Sequence, residues 1–292
     1  MNFKTPFLNL FRRISQIPFI ENKLAESIIA GSKLSQKLIA GNQLYPKGSF
    51  RNCTRNNINY RVDISDYMEH AIYFGISDGG DFDRRVLYSL IQEDFVCFDV
   101  GANIGETTFN FARLAPKGMI YSFEPVPFLF ERLKANYELN QFNNISLQNL
   151  AVSDKKEELF FEIPDNKNSA GISLLKEKSS KSDVVYSITI DEFVRQQSVS
   201  RIDFIKIDVE GFEHFVINGS VQTLQKFHPI LFIEIDNKNL NKNNTSEKLL
   251  LSQLQNDLGY ALYKVDGNQK IKISTPQNTN EHYDVLCVYE TK

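Results

Sequence analysis

FDVGANIG, residues 98–105, is where an apolar run stops and a helical pattern starts. Asp99 closes the apolar run, Gly101 and Gly105 punctuate the turn, and Glu106–Leu114 continues with apolar residues at helical spacing. A buried strand opening through glycines into a helix puts a carboxylate and several unpaired helix-start N–H groups at the carboxyl edge of a sheet. That edge is where open α/β sheets bind ligands. Glycine there lets backbone approach a ligand and lets the helix pack close to the strand.

The turn also says something about the ligand's charge. A dinucleotide turn reads GxGxxG and aims its helix at a pyrophosphate. Here Asn103 replaces the middle glycine and an acidic residue precedes the turn, which suits a ligand carrying positive charge. The next strand-like run, MIYSFEP, carries Glu124, 25 residues beyond Asp99. That is close to the spacing of about 20 residues at which an acidic residue grips ribose hydroxyls in such folds. A nucleoside with a cationic tail satisfies both features, and S-adenosylmethionine is such a molecule.

Outward from this turn the chain alternates. DFVCFDV, a helix over Glu106–Leu114, the turn Pro116-Lys117-Gly118, MIYSFEP and a helix over 128–139 alternate strand with helix, hence a parallel sheet. Residues 145–152 read as a third strand, EELFFEI as an added one, 184–190 as another and 191–196 as a short helix. IDFIKIDVEG, HPILFIEID, GYALYKVDG and HYDVLCVYE read as further strands, the last two as a closing antiparallel pair, with a helix around 248–258 in the spacer. Residues 1–60 show short helical repeats, Leu24, Ile28, Ile29 and then Leu34, Leu38, Ile39, with Gly31 and Gly41 as stops. This predicts an N-terminal helical appendage over 1–60 and an α/β domain over 61–292. That domain's first helices fall in 62–75, with Asp63 or Ser65 as cap, and in 84–92, separated by the turn-rich SDGGDFD of 77–83.

Composition narrows the function classes. With 292 residues, 42% of them hydrophobic, and a formal net charge of -3, the chain reads as one main core with an appendage. Lys and Arg are scattered, so nothing advertises nucleic acid, although a balanced total can hide a local patch. Cys53, Cys97 and Cys287 are too few and too scattered for a disulfide framework or a CxxC metal site, which predicts a reducing, cytoplasmic setting. The first 20 residues lack the apolar core and cleavage site of a signal peptide, and no window reaches the length of an integral membrane span. The glycosylation sequons at Asn52, Asn144 and Asn243 read as chance in an Asn-rich chain.

Six ordered motifs, DVGANIG, FEP with Pro127, Asn136 with Asn140, NLAVSD, KIDVEGFE and HPILFIEID, resemble the FkbM family of S-adenosylmethionine-dependent methyltransferases over about 94–265. The resemblance implies a Rossmann-like α/β fold, a seven-stranded class I methyltransferase sheet with its last strand antiparallel, and transfer to a hydroxyl of a sugar or a polyketide. Carried over by position, Asp99, Val100, Gly101, Ala102, Asn103, Gly105, Glu106 and Thr107 would line the methionine end. Glu124 and Pro125 would serve the ribose, and Asn149, Leu150 and Ala151 the adenine side, with Ser153 and Asp154 closing that loop. Lys206, Asp208, Glu210, Gly211 and Glu213 would stand beside the transferring methyl, and 168–175 resembles the family's glycine-serine segment.

The KIDVEG run carries its own physical argument. Lys206, Asp208 and Glu210 fall on alternate positions, so they share one face of a strand expected to be almost wholly apolar. Three charges there are costly unless paired or set in a cleft. Methyl transfer from a sulfonium needs in-line approach of the acceptor oxygen and a base for its proton. Asp208 or Glu210 is the expected base, held by Lys206, with His214 as the rival. Glu234, Asp236 and Asn237 could gather Mg²⁺, but metal independence is preferred, because carboxylates near a sulfonium have an electrostatic reason of their own.

A sugar or glycan is the expected acceptor, since Asp66, Tyr67, His70, Tyr73 and the 77–83 loop offer mixed stacking and hydrogen bonding. A polyketide or other small hydroxyl is the alternative. A module that binds the cofactor without turnover is the alternative of another class, and a nicotinamide oxidoreductase is disfavoured by the missing middle glycine. Residues 1–60, with Phe3, Phe7, Phe11 and Phe19, read as an acceptor-side cover, a homo-oligomer contact or a stabilising wrap.

Overall fold

The computed structural model describes residues 12–76, 81–162, 172–179, 182–279 and 281–290. Phe3, Phe7, Phe11, residues 77–80 of SDGGDFD and 168–171 lie outside these. The chain divides into two units, with the boundary between Gly80 and Asp81.

The first unit holds α1 (Pro18–Ile29), α2 (Lys33–Leu38), β1 (Phe50–Arg55), β2 (Ile58–Asp63) and α3 (Tyr67–Phe74). Pro18 opens α1, where a missing N–H costs nothing, and Ser32 caps α2 by accepting from the N–H of Ser35 at 3.3 Å. β1 and β2 form an antiparallel hairpin turning at Asn56 and Asn57, with φ of 50° and 63°. Asparagine tolerates that left-handed pair better than other non-glycine residues, and this was the unread hairpin signal in a segment expected to be all helix. The cap of α3 is Asp66, which accepts from Met68 and Glu69 N–H. Asp63 and Ser65, the expected caps, are occupied with each other: Asp63 accepts the Ser65 hydroxyl at 2.8 Å and the Gly48 N–H at 2.9 Å.

The second unit runs α4 (Asp81–Ser89), β3 (Val96–Val100), α5 (Glu106–Leu114), β4 (Met119–Phe123), α6 (Pro127–Glu138), β5 (Ile145–Gln148), β6 (Ala151–Val152), β7 (Glu158–Phe161), β8 (Leu174–Leu175) and β9 (Asp183–Ile188). It continues with α7 (Ile190–Gln196), β10 (Phe204–Ile207), α8 (Glu213–Asn218), α9 (Val221–Phe227), β11 (Ile230–Asp236), α10 (Asn237–Lys242), α11 (Glu247–Ser252), β12 (Tyr260–Asp266), β13 (Gln269–Lys272) and β14 (His282–Tyr289). Its main sheet is ordered β13-β12-β14-β11-β10-β3-β4-β5. The five strands from β11 to β5 in that order run parallel, and β14 is antiparallel to both neighbours. The fold is therefore Rossmann-like α/β with its last strand reversed. An eighth strand, the fully exposed β13, extends the expected seven.

Apolar side chains cover both faces of this sheet. On one, Phe98, Val100, Ile205, Ile207, Leu231 and Ile233 pack with Phe193, Val216, Leu224 and Leu250. On the other, Cys97, Ile120, Phe204 and Phe232 meet Val86, Leu87, Phe111 and Ala112. Two covered faces are why these strands read as near-continuous apolar runs. The expected strand 145–152 is two strands in two sheets: β5 borders the main sheet, while β6 pairs with β9 in a sheet ordered β6-β9-β7-β8. Between them, Asn149 turns its amide back to the carbonyls of Glu124 and Pro125, at 2.9 and 3.0 Å, and so bends the chain. No helix among the described residues is long and apolar enough to cross a membrane.

Candidate active site

The carboxyl ends of β3, β4, β10 and β11 bring the charged residues together. At the end of β3 the backbone makes a left-handed turn, with φ of 85° at Gly101, 49° at Asn103 and 100° at Gly105. The reason for each glycine is internal. A Cβ on Gly101 would stand 1.8 Å from the Asp208 carbonyl oxygen, and one on Gly105 would meet the Phe109 ring at 2.4 Å. Close approach of protein to protein already excludes a side chain there. Asn103 takes the left-handed conformation that asparagine tolerates, and its N–H donates to Glu124 at 2.8 Å.

Glu124 is buried, and its other oxygen accepts from the N–H of Val126 at 2.9 Å. Burial pushes its carboxyl up to about 7, against the pull of those two N–H groups. Each oxygen keeps a further lone pair for a hydroxyl. Asp99 is fully buried: Thr108 donates to it at 2.6 Å, and the Lys206 ammonium lies 3.6 Å away. Burial raises its carboxyl in spite of that ammonium. The register of β3 with β10 sets Lys206 directly beside Asp99, an ion pair made by strand pairing alone.

Lys206 is also buried and reaches two more groups, the Asp208 carboxylate at 3.0 Å and the Gly101 carbonyl at 3.0 Å. Burial would push its ammonium down, but Asp208 and Asp99 outweigh that and raise it. For Asp208 burial pulls upward, but Lys206, with help from Glu234 and His282, pulls the carboxyl below its ordinary value. Asp208, Glu210 and Glu234 bring carboxylate oxygens within 4.8 Å of one another. Glu210 occupies a left-handed position, φ 51°, and accepts from the Asn239 amide at 2.6 Å, while its own carbonyl accepts from the Ser173 hydroxyl. Burial, then Glu234 and Asp208, push the Glu210 carboxyl up to about 9. Burial and Asp208 push Glu234 up to about 7, and Glu234 in turn holds His282 at 2.8 Å, raising that imidazole to about 9.

The methyltransferase FkbM domain model matches residues 99–262. The chain belongs to that family. The hexuronic acid methyltransferase AglP of Haloferax volcanii is 30% identical over 50% of this chain and 59% of its own. The 2-O-methyltransferase NoeI of Sinorhizobium fredii is 27% identical over 49% of this chain and 64% of its own. The chain thus spans less than two thirds of either relative's length. A solved methyltransferase FkbM from Methylobacillus flagellatus aligns over 76% of this chain and 55% of its own, with TM-score 0.43 and 15% identity.

The other expected residues of this FkbM chain are distributed as follows. Gly101, Asn103, Glu106, Thr107, Pro125, Asn149 and Leu150 keep solvent-accessible surface, whereas Val100, Ala102, Gly105 and Ala151 are buried. Glu106 pairs with Arg84 at 3.2 Å, Asn136 ties the turn by donating to the Ile104 carbonyl at 3.2 Å, and Asp154 accepts from Ser153 and Lys176. Glu213 is a brace: buried, it accepts from the N–H groups of Val209 and Gly211 at 3.3 and 3.0 Å, and burial pushes its carboxyl up to about 8. His214, half-buried with its imidazole pushed down by burial, packs against Phe215 and has Asp154 as its charged neighbour. Asp236 and Asn237, considered for a cation, are engaged otherwise: Asp236 caps α10, and the Asn237 side chain accepts from the Glu247 N–H at 2.9 Å. A hard cation would find its oxygen ligands in Asp208, Glu210 and Glu234 instead. Sequence reading did not single out Thr108, Asn239 or His282. Each acts across strands or turns distant in sequence, and no local pattern marks them.

Proposed function

We propose that this protein transfers the methyl group of S-adenosylmethionine to a hydroxyl oxygen of a sugar. The observation that carries the reading is Asp208. It is a partly exposed carboxylate kept ionised by Lys206, and its backbone lies against Gly101 of the cofactor-side turn. The residues present fit the donor. Glu124 retains lone pairs for ribose hydroxyls, and the acidic rim complements a sulfonium. When bound, the donor supplies an electrophilic methyl carbon.

Asp208 takes the proton of the acceptor hydroxyl as the carbon–oxygen bond forms and the carbon–sulfur bond breaks. Glu234 brings a carboxylate oxygen within 4.8 Å of one on Asp208, and two such carboxyls share a proton more readily than both ionise. Glu210, raised to about 9, is protonated at neutral pH and so serves as a hydrogen-bond donor, not as the base. Lys206 keeps Asp208 and Asp99 compensated, and Glu213 holds the turn that presents them. The sugar hydroxyl is supported by NoeI, named for 2-O-methylation, and by AglP, named for hexuronic acid. The test supplies methyl-labelled donor with a panel of glycans and locates the label by mass spectrometry. Label on a sugar hydroxyl is expected; label on a carboxylate or on no sugar overturns the reading.

A further inference from the structure

The first unit carries a surface charge that the whole-chain total conceals. The full sequence sums to -3, yet the described residues of this unit, 12–76, hold nine Lys/Arg against five Asp/Glu. The structure sharpens this asymmetry by turning the acids inward. Glu21 is buried and holds Arg51 at 2.6 Å. Asp63, Asp66 and Glu69 are buried too and accept hydrogen bonds from local backbone. Among the described residues of this unit Glu26 is the exposed acid, and Lys23 neutralises it at 2.7 Å. Arg13, Lys33 and Lys37 point their charges to solvent.

Large apolar side chains of the same unit are exposed as well. Phe19 is 72% exposed and Leu34 69%, with Ile17 and Ile29 each about half exposed. On α1 the inward face is Glu21, Ala25 and Ile28, which leaves Phe19 outward and Ile29, about half exposed, at the side against Gly75. On α2, Ser35 is the buried position, and Lys33, Leu34 and Lys37 fall within an arc of about 100° on the open side. Hydroxyl contact between Ser27 and Ser35 at 2.8 Å sets α1 beside α2. Exposed aromatic and aliphatic groups among unneutralised cations are what an anionic bilayer surface takes: the apolar groups enter the headgroup boundary and the cations meet lipid phosphates. Nucleic acid would use the cations and leave Phe19 and Leu34 in water. A second copy of the same face would set like charges together.

We infer that α1 and α2 dock this protein on an anionic membrane surface through Ile17, Phe19, Ile29 and Leu34, flanked by Arg13, Lys33 and Lys37. The inference stands apart from the methyl-transfer reading and does not fall with it.

The chain contains no tryptophan, so Phe19→Trp installs a single reporter at an exposed position in the intact 292-residue chain. Its emission should shift to the blue with vesicles of phosphatidylcholine plus phosphatidylglycerol and stay unchanged with phosphatidylcholine alone. Lys33→Gln with Lys37→Gln, both at exposed sites, should leave the melting temperature intact and lower partitioning about fivefold for each cation lost. Co-sedimentation of the unmodified protein with the same vesicles repeats the test without the reporter. No co-sedimentation with anionic vesicles, undiminished partitioning of the double variant, a blue-shifted emission traced to a dimer without lipid, or binding to nucleic acid in place of vesicles would overturn the inference.

Discussion

At the glycine turn, Asp99 and Glu124 are buried carboxylates tied to their own framework, Asp99 to Thr108 and Lys206, Glu124 to the N–H groups of Asn103 and Val126. A few residues along the same sheet edge, Asp208, Glu210 and Glu234 crowd together with partial exposure, and Lys206 and His282 stand at the two flanks as cations. The first group holds the backbone in shape. The second stores like-charge repulsion at a place a ligand can reach, the arrangement that shifted carboxyl groups take at working sites. Lys206 belongs to both, which makes it the hinge of the comparison.

The strongest way to break the contrast is Asp208→Asn. It preserves shape but removes the proton acceptor, and turnover should fall 10²–10⁴-fold, about the usual worth of a general base, with donor affinity by calorimetry little changed. Near-full turnover would move the base elsewhere on the rim, His214→Ala being the control. Next, Lys206→Met strips the counter-charge from buried Asp99 and should lower the unfolding free energy by about 3–5 kcal/mol in denaturant melts. A drop of less than about 1 kcal/mol would mean that Asp99 is already neutral when Lys206 is absent.

A smaller effect is expected of Glu124→Gln, which gives up charge-assisted bonds at the enclosed end. Donor affinity should weaken by about 1.5–3 kcal/mol, and unchanged calorimetry in a folded variant would remove the ribose assignment. The smallest concerns Glu210 and has an inverted sign. Its carboxyl rises from 4.5 to about 9 on folding, so the folded state holds the proton more tightly. The stability from this group is complete below 4.5 and is lost as pH rises through about 9. Glu210→Gln copies the protonated form, so at pH 9 the variant should melt higher than the parent, by about 1 kcal/mol or more, and at acidic pH the two should converge. Equal melting across that range would show that the rim's repulsion is relieved by rearrangement.

Much of this was legible in the residues. Strand and helix alternation from Val96 to Glu138, the acidic ends at Asp99 and Glu124, and the charges at every second place in KIDVEG are local patterns. Periodicities of 2.0 and 3.6 reveal such patterns wherever one face is buried. Asn56-Asn57 is a local mark of the same kind, a left-handed pair that turns β1 into β2 where helix is expected.

What only the folded chain decided are relations between segments far apart in sequence. That Gly101 must be glycine because the Asp208 carbonyl fills the place of its side chain is a fact about β3 and β10 lying side by side. Glu210 and Glu213, equivalent on paper, part company because one meets other carboxylates and the other meets two N–H groups of its own turn. His282 acquires a role when β14 runs antiparallel to β11 and brings its imidazole to Glu234. Likewise, residues 12–76 could be counted as basic from the sequence, nine Lys/Arg against five Asp/Glu, but only the burial of Glu21, Asp63, Asp66 and Glu69 leaves the cations to dominate the surface. Charge and period belong to single residues and their neighbours; register, burial and the direction of a carboxylate are set by packing partners a hundred residues away, and a one-dimensional reading does not contain them.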